Sequence, residues 1–218
     1  MVEFDFIKAI LTDSPNVNLK FGKKIVLSET QTDIRGRENI VQRITISDDD
    51  IDEIEVYKFA NEDGEIDFPF FKNGENTPKL LRKFCDYIII CTCQQAFYVV
   101  LIELKAADRH NLTDNYKNAK KQLDAAETFV KYILDTVDRI KTDNENKRIF
   151  KNIDKSNLVS SNCIKKCVLV SNINQSASTN RGKNASNNKI HCDGYYRCDL
   201  AVVDTFQLKS ILQKKKTN

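Results

Sequence analysis

Residues 86–105 read DYIIICTCQQAFYVVLIELK, two apolar runs joined by a short polar connection. Each run is too short for a typical helix and is rich in β-branched residues, so both predict strands. A turn at Gln94-Gln95 would make them an antiparallel hairpin with Asp86 opposite Glu103. A longer connection stays open, because Gln-Gln is an unfavourable two-residue turn. A shift of one residue would separate the two carboxylates onto opposite faces.

Charged side chains end the second of these runs. Glu103 and Lys105 are two positions apart, so both point to one face of the strand, while Leu104 points to the other. Such charges are costly at the end of an apolar strand unless they are paired or used. Facing residues of neighbouring strands have Cβ atoms roughly 4.5–5.5 Å apart, close enough for Asp86 and Glu103 to share a divalent cation. The pattern therefore indicates phosphodiester hydrolysis, in which Lys105 orients the attacking water or stabilises charge on the phosphate.

The hairpin is set among further predicted elements. From Asp114 to Leu134 apolar residues recur every three or four positions, which predicts an amphipathic helix capped by Asn111 or Thr113. Gln122 lies beside the apolar face of this helix. Residues 166–171 predict a buried strand, and the alternating residues between 23 and 60 predict strands with a solvated acidic face.

These residues resemble the PD-(D/E)XK nuclease superfamily: Asp86, then sixteen residues, then Glu103-Leu104-Lys105, then a helix that contains Gln122. The resemblance covers roughly residues 35–171. It implies an α/β fold with a restriction-endonuclease-like αβββαβ core, in which helices flank a mixed central sheet. In such nucleases the Asp and the Glu bind the metal, the Lys is catalytic and a Gln on the helix often completes the site.

The implied site is therefore Asp86, Glu103, Lys105 and Gln122, with Mg²⁺ or Mn²⁺ held by Asp86 and Glu103. Two positions depart from the family pattern. Cys85 stands where the motif has Pro. Some members add a Glu from the first helix, and the nearest candidate is Glu38, although its surroundings look more like a turn into a strand.

The whole chain of 218 residues, 41% hydrophobic and 30% charged, is expected to form a single nuclease-like domain. Residues 172–218 are interpreted as a mobile basic loop at 172–188, a last strand at 199–206, a short helix and a tail. No apolar run approaches the ~20 residues that span a bilayer, and the N-terminus lacks the features of a secretory signal. A cytoplasmic protein with no membrane partner is expected.

The resemblance implies a Mg²⁺-dependent nuclease that acts on DNA in restriction, phage defence or mobile-element biology, with a homodimer to cut both strands. The charge distribution leaves a second interpretation open. Residues 139–218 carry sixteen Lys and Arg against six Asp and Glu, which suits an anionic partner. Residues 48–67 carry ten acidic side chains and one base, Lys58. That acidic stretch fits a non-catalytic, nuclease-like subunit that binds a basic protein.

Other chemistries are weakly supported. The spacing of the seven cysteines, including Cys91-x-Cys93 and His191-Cys192, suggests zinc, but several lie in apolar strands and buried free thiols are favoured. No pattern places either histidine, His110 or His191, beside a thiol as a catalytic base. No glycine-rich loop precedes a helix, which disfavours a nucleotide-binding fold. Arg109, His110, Lys117, Lys120 and Lys121 are candidate phosphate contacts.

Overall fold

The computed structural model of the chain describes residues 20–21, 24–32, 38–47, 51–58, 84–94, 96–107, 112–142, 163–172, 188–190, 194–200 and 203–212. Several predicted features lie outside the described residues. They are the cap at Asn111, the phosphate contacts Arg109 and His110, His191 and Cys192, the interior of the basic loop at 173–187, and the C-terminal tail after 212.

The described residues form ten strands and two helices in two sheets. The strands are β1 (Lys20–Phe21), β2 (Lys24–Thr32), β3 (Glu38–Ser47), β4 (Ile51–Lys58), β5 (Tyr87–Cys93), β6 (Ala96–Ala107), β7 (Ile164–Asn172), β8 (Asn188–Ile190), β9 (Tyr195–Leu200) and β10 (Val203–Phe206), and the helices are α1 (Leu112–Thr142) and α2 (Lys209–Leu212). The small sheet has the strand order β1-β2-β3-β10, and the large sheet β4-β5-β6-β7-β9-β8. The fold is thus mixed α/β, with parallel and antiparallel pairs in both sheets.

The hairpin predicted from residues 86–105 is confirmed. β5 and β6 pair antiparallel with Tyr87 opposite Ile102 and Cys93 opposite Ala96, so two residues connect them. Gln94 has a φ of 50°, the left-handed conformation that tight hairpin turns require and that a residue other than glycine adopts at some cost. The continuous ladder of apolar pairs compensates for this turn and fixes the register that the site needs.

Helix α1 covers one face of the large sheet. The apolar stripe predicted for it, including Ala119, Leu123 and Ala126, is buried against Leu101 of β6 and Val168 of β7. The helix continues to Thr142, beyond the predicted end at Leu134. No sequence pattern marked this extension, because residues 135–142 have few apolar side chains to continue the stripe. Thr113 lies inside the helix and is not its cap.

A second sheet, with α2, covers the other face of the large sheet. Side chains of β2 and β3, such as Leu27 and Ile44, meet Ile89 and Ile102 of the hairpin in a separate core that also contains Ile211 of α2. The resemblance implied helices on both faces of the central sheet. Among the described residues, a helix covers one face of the large sheet and the small sheet covers most of the other. Alternation in residues 24–47 predicts strands but cannot assign them to a sheet.

Two further expectations are corrected. The single strand predicted at 199–206 is wrong, since β9 ends at Leu200 in the large sheet and β10 begins at Val203 in the small one. The solvated acidic face predicted for β4 holds for Asp52, which is exposed, but Glu55 is only 3% exposed. Both faces of the large sheet are covered, so alternating polar residues in β4 do not all reach water.

Tyr87 connects the two sheets next to the predicted site. Its hydroxyl accepts a hydrogen bond from the Ser28 N–H at 3.0 Å and donates one to the Ser28 carbonyl at 2.8 Å. Tyr87 is 1% exposed. We expect Tyr87→Phe to lower the free energy of unfolding by about 1–3 kcal/mol, because both Ser28 groups lose their partner in a place with little water. Urea unfolding measures the change.

Tyr98→Phe is the matched control for this prediction. Tyr98 packs against the same core and is half-buried, and its hydroxyl makes no hydrogen bond within the described part of the chain. Its replacement should therefore change stability by much less. Equal effects of the two substitutions would contradict the role assigned to the Tyr87 hydroxyl.

Neither described helix is long and apolar enough to cross a membrane.

Candidate active site

The register of the hairpin brings Asp86 and Glu103 together at one end of β5 and β6. The pair lies one step beyond Tyr87 and Ile102 in the ladder. The Asp86 N–H donates a hydrogen bond to Glu103 Oε2 at 3.1 Å, and the Leu104 N–H donates one to Asp86 Oδ2 at 2.7 Å. Each carboxylate is thus held by the backbone of the other strand, and the pairing inferred from the sequence is present.

Lys105 completes this group. Its ammonium forms an ion pair with Glu103 Oε1. Alternation along β6 puts both side chains on the face of Val99 and Leu101, which pack under α1. Glu103 is 0% exposed, whereas the Lys105 side chain is 21% exposed. The carboxylate is therefore fully enclosed, and the lysine paired with it is partly exposed to solvent.

Burial changes the acidity of both carboxyl groups. It raises the pKa of Asp86, against the opposing effects of Lys105, the Leu104 N–H and Lys58. Burial also raises the pKa of Glu103 well above its ordinary value, and the neighbouring Asp86 raises it further, while Lys105 and the Asp86 N–H oppose the shift. A fully buried carboxyl group beside a second, half-buried one favours a protonated or cation-bound state.

Gln122 is also near the site, but its hydrogen bond does not go to any of the three charged side chains. Its Nε2 donates a hydrogen bond to the Phe84 carbonyl at 3.3 Å. Phe84 precedes Asp86 by two residues and lies just before β5. The structure therefore brings Asp86, Glu103 and Lys105 into direct contact, and it connects Gln122 to them through the backbone of residues 84–86.

Two neighbours of the site had no assigned role in the sequence analysis. Lys58 faces Tyr87 across β4 and β5, and its positive charge opposes the rise that burial causes in the pKa of Asp86. In the sequence Lys58 stands out as the one base in an acidic stretch. Only the register of β4 against β5 shows that it lies beside the site. The Cys85 thiol donates a hydrogen bond to the Tyr87 carbonyl, and burial and the two carboxylates raise its pKa well above the ordinary value.

A second charged cluster attaches α1 to the sheet and was also missed. The Lys166 ammonium lies 3.1 Å from Asp124 Oδ1 and 2.7 Å from Glu127 Oε2, both on α1. It also lies 4.1 Å from the ring centroid of Tyr195, whose hydroxyl donates to Asp124. Every charge in this cluster has an opposite partner, so we assign it to positioning the helix.

The predicted phosphate contacts on α1 have different surroundings. Lys117 and Lys121 are exposed, and the Lys117 ammonium lies 3.8 Å from the exposed Asp114 carboxylate. The Lys120 ammonium lies 4.8 Å from the centroid of the Tyr195 ring. Glu38 begins β3 in the small sheet, which matches a turn into a strand and does not match a helix that could supply a third carboxylate.

The described cysteines are buried free thiols, as favoured by their apolar surroundings in sequence: Cys85, Cys91, Cys93, Cys163, Cys167 and Cys198. Cys167 and Cys198 approach closely across β7 and β9, with their sulfur atoms 3.8 Å apart. This pair lies in the core between the two sheets, away from the carboxylates.

The donor set at Asp86 and Glu103 fits a hard divalent cation. Mg²⁺ takes oxygen ligands, commonly one or two carboxylates, and keeps several waters. Among the described residues no group of three or more His, Cys, Asp or Glu side chains is arranged to hold a metal ion. Asp86 and Glu103 would supply two of the ligands, and a cation would relieve the repulsion between these adjacent carboxylates. Comparisons with protein-family models, curated proteins and solved structures give no match for this chain.

Proposed function

We propose that this protein is a Mg²⁺-dependent nuclease that hydrolyses phosphodiester bonds in DNA. The observation that carries the proposal is the convergence of Asp86, Glu103 and Lys105 on the α1-facing side of β5 and β6. A fully buried carboxylate, a half-buried one and an ammonium at the end of an apolar hairpin are energetically costly as structural elements alone. Metal-assisted phosphodiester hydrolysis uses all three groups.

The order of elements around the site supports the same proposal. β4, β5 and β6 pair antiparallel in sequence order, α1 follows, and β7 returns parallel to β6. This succession of three strands, a helix and a strand is similar to the core of the PD-(D/E)XK nucleases. We therefore propose a restriction-endonuclease-like core formed by β4 to β7 and α1, with the small sheet added on its other face.

Each residue of the site has a separate task in this reaction. Asp86 and Glu103 would hold Mg²⁺, which when bound polarises the phosphate and lowers the pKa of a coordinated water. Lys105, which is partly exposed, stabilises negative charge on the phosphate as the bond breaks. The Leu104 and Asp86 N–H groups fix the two carboxylates by hydrogen bonds.

Further parts of the proposal concern the substrate and the setting. Lys117 and Lys121 are exposed on the helix that covers the site and would contact phosphates without reading sequence. The excess of basic residues after position 139 also suits a polyanion. A cytoplasmic homodimer that cuts both strands in restriction, phage defence or mobile-element biology is the setting we propose.

One observation favours a second candidate, a non-catalytic subunit with a nuclease-like fold. Both oxygens of the fully buried Glu103 already have partners, Oε1 in the Lys105 ammonium and Oε2 in the Asp86 N–H. A carboxylate whose two oxygens both have partners can serve as one half of a structural ion pair, here with Lys105. The exposed acidic Asp52 on β4 then belongs to a surface for a basic protein.

The first test is cleavage of plasmid, linear and single-stranded DNA and of RNA by the purified protein in Mg²⁺, Mn²⁺ or EDTA. We expect cleavage of DNA that requires the metal and disappears in Glu103→Ala, because that substitution removes one of two metal ligands. Electrophoresis of the products measures it. Metal-independent cleavage, or cleavage that survives Glu103→Ala, would contradict this site. An inert wild type that retains a protein partner in pull-down would favour the interaction subunit.

A further inference from the structure

The segment from Phe84 to Asp86 is positioned by side chains. β5 begins at Tyr87, so these three residues precede its ladder of backbone hydrogen bonds. Asp86 is nevertheless one of the two proposed metal ligands, and a metal ligand must be held accurately by its surroundings. The contacts of this short segment therefore decide where the Asp86 carboxylate lies.

Helix α1 contacts Phe84 at two points. Gln122 Nε2 donates to the Phe84 carbonyl at 3.3 Å. The Phe84 ring meets the ring of Phe129 edge to face, with centroids 5.6 Å apart and an interplanar angle of 76°. Gln122 and Phe129 are seven residues apart, two helical turns, so they lie on the same side of α1. One side of the helix thus fixes both the backbone and the side chain of Phe84.

The other end of the segment is fixed by β6. The Asp86 N–H donates to Glu103, and the Asp86 carboxylate accepts from the Leu104 N–H. The peptide groups on either side of Cys85 are therefore held from opposite directions, one by α1 and one by β6. Removing the Gln122 contact would free the Phe84 carbonyl, and at the α1 end only the ring contact with Phe129 would then hold the segment.

We infer that Gln122 is a positioning residue that sets the Asp86 carboxylate through the Phe84 carbonyl, and that it is not a ligand of the metal. The amide nitrogen can only donate, and a carbonyl oxygen is the partner it needs. Within the described chain, Gln122 makes no hydrogen bond to Asp86, Glu103 or Lys105. This inference rests on the proposed metal site at Asp86 and Glu103 and assigns a different role from the one implied by the family resemblance.

Substitution by glutamate separates the two roles. Gln122→Glu keeps the length of the side chain but replaces the donor with a carboxylate, which repels the Phe84 carbonyl. A positioning residue would then fail, whereas a residue that touched the metal would become a stronger ligand. Gln122→Ala removes the donor without adding charge. Asn118→Asp is the matched control, because it adds the same charge at an exposed position one turn earlier on α1.

The experiment is calorimetric titration of the full chain with Mn²⁺, at a temperature where thermal unfolding in EDTA shows every variant to be folded. We expect Gln122→Glu and Gln122→Ala to weaken Mn²⁺ binding about 10–100-fold, the usual effect of removing an outer-shell partner. Asn118→Asp should bind at least as tightly as wild type. Binding by Gln122→Glu that equals or exceeds wild type would overturn the inference.

A second measurement tests Gln122 without the metal. Hydrogen exchange in EDTA should be roughly two- to tenfold faster at the Asp86 amide in Gln122→Ala and Gln122→Glu, the effect of losing one hydrogen bond. It should be unchanged in Asn118→Asp. If wild type binds no Mn²⁺, the proposed metal site fails, and exchange alone then decides the role of Gln122. Unchanged exchange in both Gln122 variants would refute positioning.

Discussion

Lys105→Met should lower the rate constant of DNA cleavage at saturating Mn²⁺ by about 10²–10³-fold, the loss typical of removing one group that stabilises transition-state charge. The lysine pairs with Glu103, and its side chain is 21% exposed where that of Glu103 is fully buried, so it is placed to meet a phosphate. Saturating metal separates this effect from any change in metal affinity. Methionine retains much of the apolar side chain, which limits loss of packing.

Single-turnover cleavage of a labelled duplex measures this rate constant. The matched control is Lys131→Met, which removes an exposed lysine from the same helix that covers the site, where it pairs with Glu127 at 2.7 Å. We expect Lys131→Met to cleave at close to the wild-type rate. Wild-type turnover by Lys105→Met would mean that another group stabilises the phosphate, and the assignment of this lysine would have to be abandoned.

The second large effect is on the pH dependence of stability. Burial and the adjacent Asp86 raise the pKa of Glu103 well above the unfolded value of 4.5. Between pH 4.5 and the folded-state pKa, Glu103 is therefore protonated in the folded protein and ionised in the unfolded chain. As pH rises above 4.5, wild type should lose stability relative to Glu103→Gln, at a rate of up to about 1.4 kcal/mol per pH unit, until the folded-state pKa is passed.

Urea unfolding in EDTA over a pH series measures this difference. Glu127→Gln provides a control of opposite sign. Burial would raise the pKa of Glu127, but hydrogen bonds from Lys131 and Lys166 outweigh it and lower the pKa below 4.5. That carboxylate stabilises the fold above the unfolded pKa, and its contribution is lost as pH falls through the folded pKa. Parallel pH curves for wild type and Glu103→Gln would show that Glu103 is not perturbed.

Mn²⁺ should reverse the trend at Glu103. Metal binding requires the carboxylates to be ionised, so the cation displaces protons and binds more tightly as pH rises. A ligand that binds only the folded state stabilises it by about 2.7 kcal/mol at one hundred times its dissociation constant. The stability that wild type loses with rising pH in EDTA should therefore be recovered when Mn²⁺ is present, and Glu103→Gln should show no recovery.

Local patterns were sufficient to predict the centre of this fold. The two β-branched runs predicted β5 and β6, and a turn at Gln94-Gln95 would place Asp86 opposite Glu103. The sequence left a longer connection open, and the register in the structure has the two-residue connection. The buried stripe of α1 follows in the same way from its spacing, because period and burial are properties of a single helix. These features depend on residues that are close together in the chain.

The remaining features depend on contacts between distant segments. Alternation predicts β2 and β3 as strands, but only packing assigns them, with β10, to a second sheet that covers the hairpin. Gln122 could be placed on the helix, yet its partner, the Phe84 carbonyl, is set by how α1 lies on the sheet. Lys58 becomes a neighbour of Asp86 through the register of β4.

The sequence by itself therefore determined the two strands, the shared face of Glu103 and Lys105, and the helix, and it offered Asp86 opposite Glu103 as the register of a two-residue turn. The tertiary structure decided that Glu103 is completely buried, that α1 contacts the segment before Asp86, and that a sheet closes the other face. The physical reason is that burial and the pKa shifts it causes depend on the packing of every layer around a residue. A strand pattern records which side chains share a face, but not what covers that face.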